Sequence, residues 1–144
     1  FFADRYFGFD DAIYASCRLV EILAKTKQSL SSLVADLPPT TVTPEIRVDC
    51  PDTLKFQLVD QVRMQLTTYL NDGKPVGASN LRLRELVTID GVRAIFEDGW
   101  GLIRASNTQP ALVLRFEAPS PARLDVIRAT IETELAQARR VLSA

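Results

Sequence analysis

The chain has 144 residues, of which 47% are hydrophobic and 24% are charged, a composition typical of a globular protein that buries its own core. Its formal net charge is −1 and its basic residues are scattered among acidic ones, which argues against binding nucleic acid through the phosphate backbone. Histidine is absent, which excludes a histidine-based catalytic triad and histidine metal ligands.

The first segment reads as a strand followed by a helix. Residues 1–9 are rich in aromatic side chains, which predicts a strand with a turn at Gly8. Asp10 is the predicted N-cap of a helix that runs to about Lys25. The apolar positions of this helix have helical spacing, and we expect its cysteine to be buried with them. They are Ile13, Cys17, Val20 and Leu23.

A domain boundary is predicted near residue 40. A shorter helical pattern covers residues 30–37. Residues 38–44 then contain three prolines and no periodicity, which is typical of a linker. We therefore divide the chain into a tail, residues 1–40, and a domain, residues 41–144.

The domain begins with a strand and a long helix. Residues 45–50 alternate between apolar and polar side chains, which predicts a strand. Asp52 is predicted to cap a helix that ends near Gly73. Residues 73–83 are rich in Gly, Pro, Ser and Asn and are predicted to form a surface loop. The buried stripe of the helix is expected at Leu58, Val59, Val62, Leu66, Tyr69 and Leu70.

Four further strands and a last helix complete the predicted fold. The strands are expected at residues 86–89, 92–96, 100–103 and 111–117, and the first two connections carry the Asp-Gly signal of tight hairpins. Ser120 is predicted to cap the last helix, with Pro121 at its first position. Two amphipathic helices need one shared apolar surface. We therefore predict an α+β fold, a mostly antiparallel sheet of four to five strands with two helices on one face. The stripe of the last helix is Leu124, Ile127, Ile131, Leu135, Ala138 and Leu142.

The connection at residues 104–110 is unusually polar and is the candidate binding site. Arg104 offers a planar fork of donors that can bind two phosphate oxygens. Ser106 and Thr108 offer hydroxyl donors, and Asn107 offers an amide donor. Asn107 also tolerates a left-handed backbone, which would aim neighbouring N–H groups into an anion-binding nest. In the alternative interpretation, Arg104 is a solvated charge or a salt-bridge partner, and the other residues are ordinary turn residues.

The order of residues around this connection resembles a known family. Residues 98–118, DGWGLIRASNTQPALVLRFEA, closely resemble the last-domain signature of bacterial phosphomannomutase/phosphoglucomutase enzymes of the alpha-D-phosphohexomutase superfamily. Residues 1–14, FFADRYFGFDDAIY, are similar to the segment that follows the family's sugar-recognition loop in its third domain. Shorter matches occur at residues 43–46 and 90–93.

The resemblance implies an enzyme of four domains that interconverts hexose 1-phosphate and hexose 6-phosphate, with mannose or glucose, through a bisphosphorylated sugar. The first domain carries a phosphoserine, the second holds Mg²⁺ and the third reads the sugar hydroxyls. The fourth, residues 41–144 with a TATA-box-binding-protein-like fold, grips the substrate phosphate. Carried over position by position, the grip consists of Arg104, Ser106, Asn107 and Thr108. The family often has Glu where this chain has Gln109.

By the same resemblance, this chain holds no catalytic residue and no metal, and we expect it to be inactive alone. Its expected partners are a phosphosugar and the other three domains of the enzyme. Residues 1–40 are then the tail of the third domain. Without the rest of that domain we expect them to be disordered, repacked or self-associating. The aromatic side chains that lose their cover are Phe1, Phe2, Tyr6, Phe7 and Phe9.

Two further interpretations use the same residues differently. The chain can be a free-standing module that holds a phosphosugar without catalysis, or an open antiparallel sheet that binds nucleic acid. The first residue, Phe1, and the single methionine, Met64, indicate a cut N-terminus and favour the enzyme interpretation. The near-neutral charge disfavours nucleic acid, and no apolar run is long enough to span a membrane. We expect no nucleic-acid or membrane contact, and a cytoplasmic location.

Overall fold

The computed structural model describes residue 2 and residues 4–143. The chain divides into two compact units, Phe1–Pro38 and Pro39–Ala144. The assignment of the first unit to the tail of a preceding domain stays a prediction.

The first unit contains two helices, α1 (Ala12–Thr26) and α2 (Leu30–Leu33). The N-cap of α1 is Asp11 and not the predicted Asp10, because the Asp11 carboxylate accepts the backbone N–H of Tyr14 at 2.8 Å. The same carboxylate accepts the hydroxyl of Tyr6 at 2.6 Å. The ring of Tyr6 stacks on that of Tyr14 with centroids 4.1 Å apart, so these contacts fix the entry into α1.

Two further predictions for the first unit are wrong. No strand forms among residues 2 and 4–9, whereas Phe1 and Ala3 lie outside the described residues. A strand needs the backbone of a neighbouring strand, and the described part of this unit contains none. Cys17 is exposed, because no residue of α1 is buried within the described structure. The predicted apolar stripe is instead a surface, with Ile13 81% exposed and Val20 64% exposed.

The described residues of the second unit form a six-stranded sheet in which every pairing is antiparallel. The strand order is β1-β6-β5-β4-β3, with β2 also paired to β6. The strands are β1 (Thr41–Val42), β2 (Ile46–Asp49), β3 (Glu85–Val87), β4 (Val92–Ile95), β5 (Trp100–Ala105) and β6 (Ala111–Ala118).

The sheet has six strands, whereas four to five were predicted, because part of the predicted linker is a strand. Thr41 pairs with Ala118 and Val42 with Glu117. Thr43 is buried, and it exchanges two hydrogen bonds with Phe116, one from each backbone N–H. These bonds satisfy backbone groups at the edge of the sheet, so the domain begins before the last proline of the linker.

Two long helices, α3 (Asp52–Asp72) and α4 (Pro121–Leu142), pack on one face of this sheet. Ser120 caps α4 as predicted, and its side chain accepts the N–H of Arg123 at 3.3 Å. The predicted cap of α3 is wrong, because Pro51 occupies the N-cap position and Asp52 is the first helical residue. Proline fixes the backbone angle that leads into the helix and needs no side-chain bond there.

The core lies between the two helices and the sheet. On α3 and α4 the most deeply buried predicted positions, each at most 1% exposed, are Leu58, Val62, Leu66, Ile127, Ile131 and Ala138. Alternate residues of β4, β5 and β6 complete the core. We call the opposite, uncovered face of the sheet the open face. It carries Arg93, Trp100, Leu102, Arg104 and Arg115.

The core contains one carboxyl group, that of Glu134, which is 1% exposed. Neither of its oxygens has a hydrogen-bond partner among the described residues, and burial raises its pKa. The adjoining cavity is lined by residues 76–79 and by α4, and it contains no other ionisable group. Ionising Glu134 therefore costs free energy that nothing nearby offsets.

We expect Glu134→Gln to raise the free energy of unfolding at pH 7.5 by about 1 to 3 kcal/mol, because it removes a buried, unpaired charge. The folded protein holds the Glu134 proton more tightly than the unfolded chain. The stability of the wild type therefore falls as the pH rises from the unfolded pKa to the folded one, and the gain should vanish below that window. Urea unfolding at several pH values measures it. The exposed Glu132→Gln is the control, and a gain that did not depend on pH would contradict the prediction.

Candidate functional site

The candidate binding residues lie at the end of the β5–β6 hairpin. The predicted connection at 104–110 is shorter in the structure, because Arg104 and Ala105 belong to β5 and pair with β6. Alternation along β5 buries Ala105 against the helices and places Arg104 on the open face. The connection itself, residues 106–110, is called the 106–110 loop below.

The 106–110 loop closes on the hydroxyl of Ser106. The Ser106 oxygen accepts the backbone N–H of Gln109 at 3.1 Å and that of Thr108 at 3.4 Å. The backbone N–H of Ser106 donates to the carbonyl of Ala111 at 2.9 Å. The hydroxyl proton of Ser106 is not used by these bonds and remains able to donate to a ligand.

The predicted nest of N–H groups around Asn107 is wrong. Among the described residues, Lys27 is the only residue other than glycine with a positive φ, so Asn107 is not left-handed. The N–H groups of Thr108 and Gln109 turn inward to the Ser106 hydroxyl. A side-chain acceptor at the start of a turn competes for such donors. The loop therefore offers side chains to a ligand, and Asn107 and Thr108 are both exposed.

Arg104 has one weak partner. Its Nη1 lies 3.2 Å from a carboxylate oxygen of Asp90, and their side chains are 39% and 59% exposed. An ion pair this exposed contributes at most about 1 kcal/mol, so an anion with better geometry can displace it. The sequence placed Asp90 in a turn but did not predict this pair, which follows from the antiparallel register of β4 and β5.

Lys55 is a functional candidate that the sequence analysis missed. It is 4% exposed, and its ammonium donates to the carbonyls of Ser106 at 2.5 Å and Gln109 at 3.1 Å. A signal was present, because Lys55 occupies the same helical stripe as Leu58, Val59 and Val62. A lysine on a buried stripe needs buried acceptors.

The open face beside Arg104 is shallow and carries mixed charge. Glu45, Asp90, Leu102, Val113 and Arg115 surround Arg104 there. The Arg115 side chain is exposed, because alternation along β6 points it away from the core. Next along this face, the guanidinium of Arg93 lies 4.2 Å from the ring centroid of half-buried Trp100.

No cluster of three or more potential metal ligands of the His, Cys, Asp or Glu type occurs among the described residues. Within the same part of the chain, no helix combines the length and apolar character needed to cross a membrane. The site thus consists of a guanidinium, two hydroxyls and an amide at one end of the sheet.

Comparison with known proteins identifies the family. The family model described as "Phosphoglucomutase/phosphomannomutase, C-terminal domain" matches residues 45–134. The chain belongs to this family. The matched range includes the candidate site, all of α3 and α4 as far as residue 134. The predicted α+β class and the family resemblance are both confirmed.

Relatives of the phosphoglucomutase/phosphomannomutase family match most of the chain. A phosphomannomutase/phosphoglucomutase of Pseudomonas putida is 45% identical over 135 residues, which are 94% of this chain and 26% of that protein. A phosphoglucomutase of Neisseria meningitidis serogroup A is 40% identical over 129 residues, 89% of this chain and 25% of that protein.

A solved structure shows the same fold. The crystal structure of a phosphoglucomutase/phosphomannomutase family protein from Burkholderia thailandensis matches with a TM-score of 0.71 and 40% identity. The match covers 96% of this chain and 26% of that chain. The chain thus spans about a quarter of the length of the relatives it matches.

Proposed function

We propose that the chain is the substrate-phosphate-binding part of a phosphohexomutase that interconverts hexose 1-phosphate and hexose 6-phosphate. The observation that carries this proposal is the placement of Arg104. Its exposed guanidinium, held by one weak ion pair, lies on β5 directly before a loop of exposed donors. The family membership and the names of the relatives support the same activity for the whole enzyme.

Phosphate binding at this site would replace Asp90 as the partner of Arg104. The guanidinium leaves the Asp90 carboxylate and binds two phosphate oxygens in a bidentate arrangement. The hydroxyl proton of Ser106 and the side chains of Asn107 and Thr108 are donors for the remaining oxygens. A phosphate carries several equivalent oxygens, so this grip does not depend on which end of the sugar bears the phosphate. A mutase that handles a bisphosphorylated sugar in two orientations requires such a grip.

The other steps of the reaction are assigned to the rest of the enzyme. We propose that the transferred phosphoryl group and Mg²⁺ are held by other domains, and that the enzyme is cytoplasmic. The proposed partners of this chain are the phosphosugar and the three other domains of the enzyme. The contribution of this chain is to position the substrate by the phosphate that is not transferred, which lowers the entropy cost of reaction.

An amide chemical-shift titration of the 144-residue chain tests the grip, with glucose 1-phosphate, inorganic phosphate and glucose as ligands. We expect both phosphates, but not glucose, to shift Arg104 and the 106–110 loop. One loop supplies few contacts, so the Kd should be about millimolar. The shifts should disappear in Arg104→Ala and persist in Arg128→Ala, an arginine of similar exposure that pairs with Glu132 on α4.

The same samples test whether the chain acts alone. No glucose 6-phosphate should form from glucose 1-phosphate, because the chain is proposed to hold no catalytic group. Equal shifts with glucose and with phosphate, or shifts that survive in Arg104→Ala, would contradict the proposed grip. Turnover by the purified chain would contradict the proposed division of labour.

A further inference from the structure

We propose that Lys55 is a positioning residue that holds the 106–110 loop in the shape needed to bind phosphate. The inference rests on the proposed function and adds a residue from a separate helix to the site. Lys55 lies on the first turn of α3, far from Arg104 in the sequence. The fold brings its ammonium directly beneath the loop.

The Lys55 ammonium makes two hydrogen bonds and one ion pair. A lysine ammonium carries only donors and no acceptor. In this structure it donates to the Ser106 carbonyl at 2.5 Å and to the Gln109 carbonyl at 3.1 Å, and it forms an ion pair with the Asp52 carboxylate at 2.6 Å. A charge that is 4% exposed persists in a folded protein only when it is paired and hydrogen-bonded in this way. The position is therefore built around the loop and is not a surface charge.

The two carbonyls flank Asn107 and Thr108, two of the four residues proposed to bind phosphate. Ser106 and Gln109 lie immediately before and after Asn107 and Thr108. Because Lys55 draws both flanking carbonyls toward α3, the two intervening residues form the outer surface of the loop, where they are exposed. The bond from the Gln109 N–H to the Ser106 hydroxyl closes the same segment from within.

Lys55 acts through this loop and is not proposed to touch the substrate. A loop fixed in advance binds its ligand without losing conformational freedom at that moment, which raises affinity. The buried ammonium also places a positive charge behind the site of a dianion. Asp52, whose side chain is 70% exposed, offsets part of this charge at the outer end of the interaction. Shape and charge are separable, because arginine keeps the charge and methionine keeps only the length.

The test compares three variants of the 144-residue chain by the same titration with inorganic phosphate and glucose 1-phosphate. Lys55→Met should weaken binding at least about tenfold, because both loop carbonyls lose their donor. Lys55→Arg should recover part of that loss, since a guanidinium can reach two carbonyl acceptors. Lys74→Met is the matched control and should stay within about twofold of the wild type, because Lys74 is an exposed lysine whose ion pair with Asp72 lies outside the proposed site.

Amide hydrogen exchange without ligand distinguishes positioning from a general loss of stability. In Lys55→Met, protection should fall at Ser106 and Gln109, whose N–H groups bond to the Ala111 carbonyl and the Ser106 hydroxyl. It should stay unchanged at Leu114 and Ile131 in the core. An equal loss of protection in loop and core would overturn the proposal, because Lys55 would then support the whole fold. If Lys55→Met does not fold, Lys55→Gln takes its place in both measurements.

The outcomes separate the two proposals. Phosphate binding by the wild type that is unchanged in a folded Lys55→Met or Lys55→Gln variant overturns the role of Lys55 and leaves the proposed function intact. Absence of phosphate binding by the wild type overturns the proposed grip and, with it, the role of Lys55 in that grip. Weaker binding in Lys55→Met, partial recovery in Lys55→Arg and a local loss of protection together support both.

Discussion

In the full-length phosphohexomutase proposed above, replacing Arg104 with alanine should lower kcat/KM for hexose 1-phosphate by about 100-fold, or about 3 kcal/mol. Each hydrogen bond to a charged group contributes about 1.5 to 3 kcal/mol, and the proposed bidentate contact contains two. The Asp90 pair lost from the free protein is exposed and compensates little. Steady-state kinetics in the direction from glucose 1-phosphate to glucose 6-phosphate measures the loss.

Two further variants determine what the arginine does. Arg104→Lys keeps the charge but not the planar fork, so we expect a loss of about tenfold. Arg128→Ala removes an arginine whose side chain is 44% exposed, against 39% for Arg104, and should leave kcat/KM unchanged. If kcat/KM of Arg104→Ala equals that of the wild type, the substrate phosphate is held elsewhere. Equal losses for Arg104→Lys and Arg104→Ala would instead assign the whole effect to the bidentate geometry.

The second unit was predictable where its sequence is periodic. Helical spacing located α3 and α4, and alternation with Asp-Gly turns located the strands of the β3–β6 meander. The exception is β1, because Thr41 and Val42 lie between prolines and carry no pattern of their own. Their strand conformation comes from pairing with β6, which no local property of the sequence encodes.

The wrong predictions for the first unit arose because a local pattern was present but the surface needed to cover it was not. The strand predicted for residues 1–9 and the burial predicted for Cys17 both assume a covered surface. Phe7 and Ile13, 86% and 81% exposed, show that this unit does not supply one for them. An aromatic or apolar pattern states which residues prefer burial, but not whether the chain at hand contains the surface that buries them.

The candidate site was only partly accessible from the sequence. Arg104 and its donors are adjacent in the chain, so their residue types and the family resemblance indicated them together. Lys55 and Asp90 come from other elements and join the site only through the packing of α3 and the register of β4 on β5. The nest predicted at Asn107 failed because Ser106 competes for the same N–H groups, a choice that residue preferences do not decide.

The turn that places Asp90 beside Arg104 depends on Gly91. Gly91 has φ +79°, and an added Cβ would lie 2.3 Å from the Ile103 carbonyl oxygen and 2.7 Å from Cα of Arg104. Gly91→Ala therefore combines a left-handed alanine with a backbone clash. We expect the free energy of unfolding to fall by about 3 kcal/mol, the sum of roughly 1 to 2 kcal/mol for the conformation and 1 to 3 kcal/mol for overpacking.

Gly73→Ala separates the two contributions, because Gly73 ends α3 with φ +63° and has no atom within 4 Å of an added Cβ. It should cost only about 1 kcal/mol, the conformational part. Urea unfolding followed by the fluorescence of Trp100, the single tryptophan, reports on the unit that contains both glycines. Equal losses in the two variants would show that the 88–91 turn moves away from β5 without cost. A larger loss of unfolding free energy in Gly91→Ala would mean that the fold requires close contact between this turn and β5. The same contact keeps Asp90 within reach of Arg104, the arginine proposed to bind phosphate.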